Sequence, residues 1–142
     1  MEHKGLFSIL KFHGCIQKEN ILVSISPSCK QNFIHVNLGK NLKVPSKYIQ
    51  ITHVDGEKFQ NCKDLKITMD KYVLHSAFYS LDMDGVDVVL GYPWMQSKGV
   101  VNINVENKFL KFWYKKKKIT FQDMSLIPQK ETKKARDEIF AG

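Results

Sequence analysis

Apolar residues in this chain fall in short runs, each closed by a polar or Gly- and Pro-containing turn, and the turns recur about every 8 to 12 residues. Residues 6–16 carry Phe7, Ile9, Leu10, Phe12 and Ile16; Gln17-Lys18-Glu19-Asn20 is polar; Ile21-Leu22-Val23-Ser24-Ile25 is apolar again. Two β-rich runs around a short polar gap predict a hairpin. Its second strand leads into Ser26-Pro27-Ser28-Cys29, where Pro27 cannot donate to a sheet and the small residues favour a turn. Residues 32–39 offer Phe33, Ile34, Val36 and Leu38, a pattern open to a short helix or a strand-like crossing. Residues 48–54 alternate through Ile49, Ile51 and Val54 into Asp55-Gly56, a strong two-residue hairpin signal, and 58–61 lead back.

Further strands are predicted at 65–69 (Leu65, Ile67, Met69) and 72–79, the latter with Val73, His75, Ala77 and Tyr79 on one face. Asp82-Met83-Asp84-Gly85 feeds the most apolar stretch of the chain, Val-Asp-Val-Val-Leu-Gly-Tyr-Pro-Trp-Met at 86–95. Val86, Val88, Val89 and Leu90 read as a strand buried on both faces. Gly91 ends it, and Pro93 suits the first turn of a short helix, about 93–98, that lays Trp94 and Met95 on the core. Val101, Ile103 and Val105 then alternate, Phe109, Leu110, Phe112 and Trp113 answer them, the lysines at 115–117 turn, and Ile119 and Phe121 make a last strand. A meander of short strands closed into a small all-β barrel, with one short helix after the closing strand, is the expected architecture.

At 142 residues with 43% hydrophobic and 25% charged residues, the chain is long enough for one buried core and too apolar for wholesale disorder. The barrel domain is placed at 6–122; beyond it the apolar pattern fades, and 123–142 reads as a charged tail or linker. The apolar runs fall far below the roughly 18 residues of a membrane span, and the patch at 6–10 is too short for a signal peptide, so an intracellular, cytoplasmic protein without membrane contact is expected. Cys15, Cys29 and Cys62 are odd in number and lack Cys-x-x-Cys spacing, which suits reduced structural thiols. The five histidines lack helical metal-site spacing, so no metal or other cofactor is expected.

With the strand order in hand, Asp87-Val88-Val89-Leu90-Gly91-Tyr92-Pro93-Trp94-Met95 resembles the closing segment of the retropepsin-like aspartic protease domain in gypsy-type (Ty3-like) plant retrotransposon polyproteins. Asn32-Phe33-Ile34 resembles the Asn-Phe-Ile after that family's catalytic loop. Val54-Asp55-Gly56-Glu57 resembles the flap that closes over bound peptide, and Val88, Val89, Leu90 and Gly91 the element that braces the loop. The resemblance implies an acid-protease barrel, a homodimer giving one carboxylate per subunit, terminal strands such as 5–11 and 118–122 exchanged between subunits, and a peptide or polyprotein segment as partner.

One departure changes the expected function. Counting back from Asn32, the family's Asp-Ser/Thr-Gly triplet falls on Ser26, Pro27 and Ser28. Two carboxylates sharing a proton do the acid-base work in such an enzyme, and a serine hydroxyl is far too weak an acid to replace one. No Asp or Glu lies between Glu19 and Asp55 to stand in, and His35 is the nearest histidine for a Ser-His arrangement. The expected function is therefore a peptidase-type domain that has lost catalysis and remains as a fragment or a peptide-binding, dimerising remnant.

Two alternatives stand beside it. The net charge of +8, with Phe112, Trp113 and Tyr114 beside Lys115, Lys116, Lys117 and Lys118, suits a non-catalytic nucleic-acid-binding β module; the plainer reading is a hairpin with a solvated turn. An active endopeptidase would need a carboxylate from Asp82, Asp84 or Asp87, whose spacing fits no calcium loop.

Overall fold

Strands β1 (Lys11–Ile16) and β2 (Glu19–Ile25) pair antiparallel and open the barrel in the computed structural model, which describes residues 10–126. Their turn is tighter than the four polar residues suggest. Glu19 and Asn20 already pair with Ile16 and Cys15, so Gln17 and Lys18 alone make the turn, at φ 49° and 71°. That mirror-image geometry matches the twist of the flanking strands.

Strand β3 (Phe33–His35) passes directly into helix α1 (Val36–Asn41), so the ambiguous 32–39 stretch is strand first and helix second. A 3-10 turn at Ser46–Tyr48 leads to β4 (Ile49–Val54), which pairs with β5 (Glu57–Met69) across the expected Asp55-Gly56 tip. The sequence pattern divides β5 in two because its alternation breaks. The structure shows one strand of 13 residues whose register against β6 (Tyr72–Leu81) shifts between Cys62 and Leu65, with Lys63 and Asp64 exposed at the irregularity. On β6, Tyr72, Leu74 and Phe78 are buried, and the Val73, His75, Ala77, Tyr79 set faces away from the core.

Strand β7 (Val88–Leu90) is fully buried and lies between β2, to which it is parallel, and β3, to which it is antiparallel. A strand without polar alternation fits only where both faces are covered. Placing it there requires crossovers, so the sheet is no simple meander: its order is β1-β2-β7-β3-β6-β5-β4, with a second parallel pair, β3 and β6. Cys15 of β1 pairs with Thr68 of β5 and closes six strands into a barrel, leaving β4 outside as the partner of the β5 end.

Helix α2 (Tyr92–Lys98) follows, then β8 (Val101–Asn104), β9 (Phe109–Tyr114) and β10 (Lys117–Gln122), which form a separate three-stranded sheet in the order β10-β9-β8. Tyr72 joins this sheet to the barrel. Its ring meets those of Phe112 at 5.0 Å, Phe121 at 6.0 Å and Trp94 at 6.3 Å, and its hydroxyl accepts from Trp94 Nε1 at 2.9 Å.

The described body runs on past Gln122 into a 3-10 turn at Met124–Leu126. Buried Asp123 accepts the Lys11 N–H at 2.7 Å and the Ser125 N–H at 3.0 Å, tying the end of the second sheet to the first barrel strand. Burial pushes its carboxyl up, but the Ser125 hydroxyl, the Lys11 and Ser125 N–H groups and the Lys108 charge together hold it below the usual carboxylate value. A carboxyl depressed in the folded state stabilises above its unfolded pKa of about 3.9, and the benefit is lost as pH falls through the folded value. Asp123→Asn is therefore expected to melt several degrees below the parent at neutral pH, with the gap closing as pH falls below the usual carboxylate value and through the depressed folded one in a thermal-melting series. A constant gap across that series would contradict an ionic role.

Candidate functional site: the turn after β2

Past Ile25 the chain keeps pairing for one more residue, as the Ser26 N–H donates to the Leu90 carbonyl of β7 at 2.9 Å. The Cys29 N–H then bonds the Ser26 carbonyl at 3.2 Å, closing a β-turn over Pro27 and Ser28. Ser26 is 4% exposed, Pro27 and Ser28 are exposed, and the two serine hydroxyls lie 3.2 Å apart. Cys29 packs inward on Met83, Val86 and Val89.

Two residues hold this turn from beneath. Buried Asn32 accepts the Gly91 N–H at 2.8 Å, and its Nδ2 donates to Ser76 Oγ at 2.9 Å, so one amide bridges the end of β7 and the middle of β6. Gly91 is needed for room rather than for backbone freedom. Its φ of −94° suits any residue, but a Cβ there would stand 2.3 Å from the Gln31 carbonyl oxygen and 2.7 Å from that of Cys29. The Tyr92 N–H donates to the same Cys29 carbonyl at 2.8 Å. The turn is thus a preformed, rigid feature whose outer side carries Pro27 and Ser28.

Its chemistry is that of paired hydroxyls. Ser26 pairs with Leu90 of β7, whereas the His35 N–H bonds Asp87 at the other end of that strand, about 10 Å away at about 3.3 Å per residue. The His35 ring is also engaged, with Nδ1 accepting the Asn37 N–H at 3.0 Å and Nε2 3.8 Å from Asp82. Asp87 shares that distant end, its carboxylate accepting the Leu22 N–H at 2.8 Å. Asp87 thus lies at the far end of β7 from Ser26, and Asp82 lies beside the His35 ring.

The β4–β5 hairpin supplies a second exposed element. Asp55 and Gly56 take φ values of 50° and 79°, the geometry a two-residue hairpin tip needs. Asn61, buried at its base, donates to Thr52 Oγ1 at 2.6 Å and accepts the Ser80 N–H at 2.9 Å. The base is pinned to β4 and β6, whereas Val54, Asp55, Gly56 and Glu57 are exposed, and Ile51 joins Val54 in showing apolar surface.

No family model matches this sequence, and no curated protein matches it. Among solved structures, the retroviral protease-like domain of Ddi1 from Leishmania major is similar over 82% of this chain and 96% of its own, at 9% identity and a TM-score of 0.61. The chain has a retropepsin-like fold. The protease of simian foamy virus (mac) aligns over 63% of this chain and 99% of its own, at 9% identity and a TM-score of 0.39.

Within this retropepsin-like fold the expected closing strand is the central β7, and the expected helix runs from Tyr92, with Trp94 buried. Of the proposed exchange segments, residues 5–9 lie outside the described residues, as does the tail from 127 on, and 118–122 pair with β9 of the same chain. Phe112, Trp113 and Tyr114 do not form one aromatic face: Phe112 is buried, Tyr114 packs on the core and Trp113 points outward. Lys115 and Lys116 make the β9–β10 turn at φ 50° and 63°, while Lys117 and Lys118 begin β10. All three cysteines are free thiols, and burial pushes the Cys62 thiol up, away from reactivity at neutral pH. Among the described residues no cluster of His, Cys, Asp or Glu could hold a metal, and no helix is long and apolar enough to cross a membrane.

Sequence reasoning missed Tyr79 and Tyr92. Both are exposed, and their backbone N–H groups bond the Asn32 and Cys29 carbonyls, which anchors these two residues next to the turn. The available signal was Tyr92 itself, a polar-tipped aromatic between the apolar run Val88-Val89-Leu90 and Trp94.

Proposed function

We propose that this chain is a retrotransposon-derived retropepsin-like domain that no longer hydrolyses peptides and acts by binding an extended peptide or polyprotein segment, as a homodimer in the manner its fold resemblance implies. The observation that carries this reading is Ser26. It occupies a buried, clamped position at the end of β2, and its hydroxyl is paired with another hydroxyl rather than with a carboxylate or an imidazole. A hydroxyl without a base nearby is a poor nucleophile and cannot share a proton as paired carboxylates do.

Binding is the activity such a site retains. The exposed Ile51 and Val54 of the β4–β5 hairpin, and Tyr79 and Tyr92 beside the turn, offer the apolar and amphipathic surface that favours peptide or subunit contacts. The test is hydrolysis of a mixed peptide library by the purified chain between about pH 4 and 7. No cleavage above the buffer rate is expected. Cleavage stopped by pepstatin would overturn the reading and return attention to Asp82, Asp84 and Asp87.

A further inference from the structure

The outer face of the three-stranded sheet carries an arrangement that the retropepsin-like reading does not use. Register decides what lies there. Phe112 pairs with Val101 and Ile119, and Leu110 with Ile103 and Phe121, and this set is packed against the core. The alternate positions therefore face away: Trp113 beside Lys118, Lys111 between Asn102 and Thr120, and Phe109 between Asn104 and Gln122. Trp113 is 63% exposed and Val100, at the mouth of the same face, 72%. Among the described residues the Trp113 ring stacks on no other ring and carries no cation, whereas Lys111 Nζ sits 4.6 Å over the Phe109 ring. A depression of about 260 Å³ opens beside Trp113, lined also by Val100, Asn102, Lys111 and Lys118.

The geometry points to single-stranded nucleic acid as the ligand of this sheet face, with Trp113 as the platform for one base and Lys111 and Lys118 neutralising the phosphates on either side. Three occupants fit an exposed aromatic on a sheet, and charge separates them. A second copy docked through the same patch would bring Lys111, Lys118 and the lysines of the adjacent turn against their own equivalents, a like-charge arrangement that disfavours self-pairing. An acidic peptide would satisfy the lysines but leave a bare indole face with nothing flat to cover it. An unpaired nucleotide brings both a π face and a charge, and the amides of Asn102, Asn104 and Gln122 have the donors and acceptors that base edges use. The chain's net charge of +8 works in the same direction. Duplex is disfavoured because its bases are already stacked and unavailable to an indole.

The experiment is fluorescence anisotropy of the full chain with a labelled oligouridine and a labelled oligodeoxythymidine of about ten nucleotides, titrated at several salt concentrations. Binding to one or both is expected, with log affinity falling linearly in log salt, and a matching duplex is expected to bind more weakly. Trp113→Ala should weaken binding by about tenfold without lowering the melting temperature, because the side chain is largely in solvent. Lys118→Ala should reduce the salt slope by about 0.7. Trp113 emission should be quenched on binding while that of buried Trp94 is retained, which Trp113→Phe separates. Absence of binding at low salt overturns the proposal. So does binding that Trp113→Ala leaves unchanged, since the lysines alone would then be responsible. Concentration-dependent self-association abolished by Trp113→Ala assigns the face to a second copy instead, and tighter binding of an oligoglutamate peptide assigns it to an acidic protein; either result overturns the nucleic-acid assignment.

Discussion

Gly91→Ala is expected to lower stability by about 3 kcal/mol, which for a domain of this size moves the melting temperature down by about 10 °C. One methyl group seldom costs so much, and the reason is what it meets. The nearest atoms to the added Cβ are backbone oxygens of Gln31 and Cys29, at 2.3 and 2.7 Å. A flexible side chain could swing aside. These carbonyls cannot, because that of Cys29 accepts the Tyr92 N–H and the next turn of chain is held by the Asn32 amide. Relief requires the turn after β2 to lift from the end of β7, with loss of the bonds from Ser26 to Leu90 and from Gly91 to Asn32.

Gly56→Ala is the control that isolates this cause. Gly56 sits at φ 79° with nothing within 4 Å of an added Cβ, so its substitution carries only the backbone cost of a left-handed residue, about 1 kcal/mol. Chemical denaturation of the two variants should therefore separate by a factor of about three in stability loss. Equal losses would mean that the turn tolerates displacement and is not the rigid element described above.

What could be read from the sequence follows from which physical signals are local. The hairpin tip at Asp55-Gly56 was legible because both positions need positive φ and both residues supply it readily, and β7 because three consecutive apolar residues, Val88, Val89 and Leu90, demand two covered faces. The helix after it was legible from Pro93. The strand order was not, since nothing in the period of β2 or β3 records that β7 will lie between them. The continuity of β5 was hidden by Lys63 and Asp64, which interrupt the alternation without ending the strand. Gln17 and Lys18 have positive φ without being Gly or Asn, so the tight first turn had no residue-level signature. At the site, the turn itself was legible from Pro27 and the small residues around it. The clamp was not, because an asparagine amide bridging two strands and a glycine needed for clearance are properties of long-range packing. The polarity of its neighbours places Asp123 with the tail, and only the structure shows it buried and bonded to β1.

Restoring the triplet as Ser26→Asp, Pro27→Ser and Ser28→Gly is expected to give a pepstatin-sensitive endopeptidase, at least about 10²-fold above the parent's background. The clamp is the reason to expect success. Asn32 and Gly91 already hold the turn, so the substitutions need not create its position, only its chemistry. Burial at 4% exposure would push an isolated carboxyl at this site upward and favour its neutral form. Two such groups facing each other across a dimer axis would share one proton, which is the state acid-base hydrolysis needs, with activity greatest on the acidic side of neutrality. Ser26→Asp alone should give much less, because Pro27 withholds an N–H and Ser28 a glycine's backbone freedom. Sedimentation of the restored chain divides the remaining outcomes. A folded dimer that cuts nothing would refute the placing of Ser26 at the position of the lost carboxylate, whereas a folded monomer that cuts nothing would locate the loss in pairing.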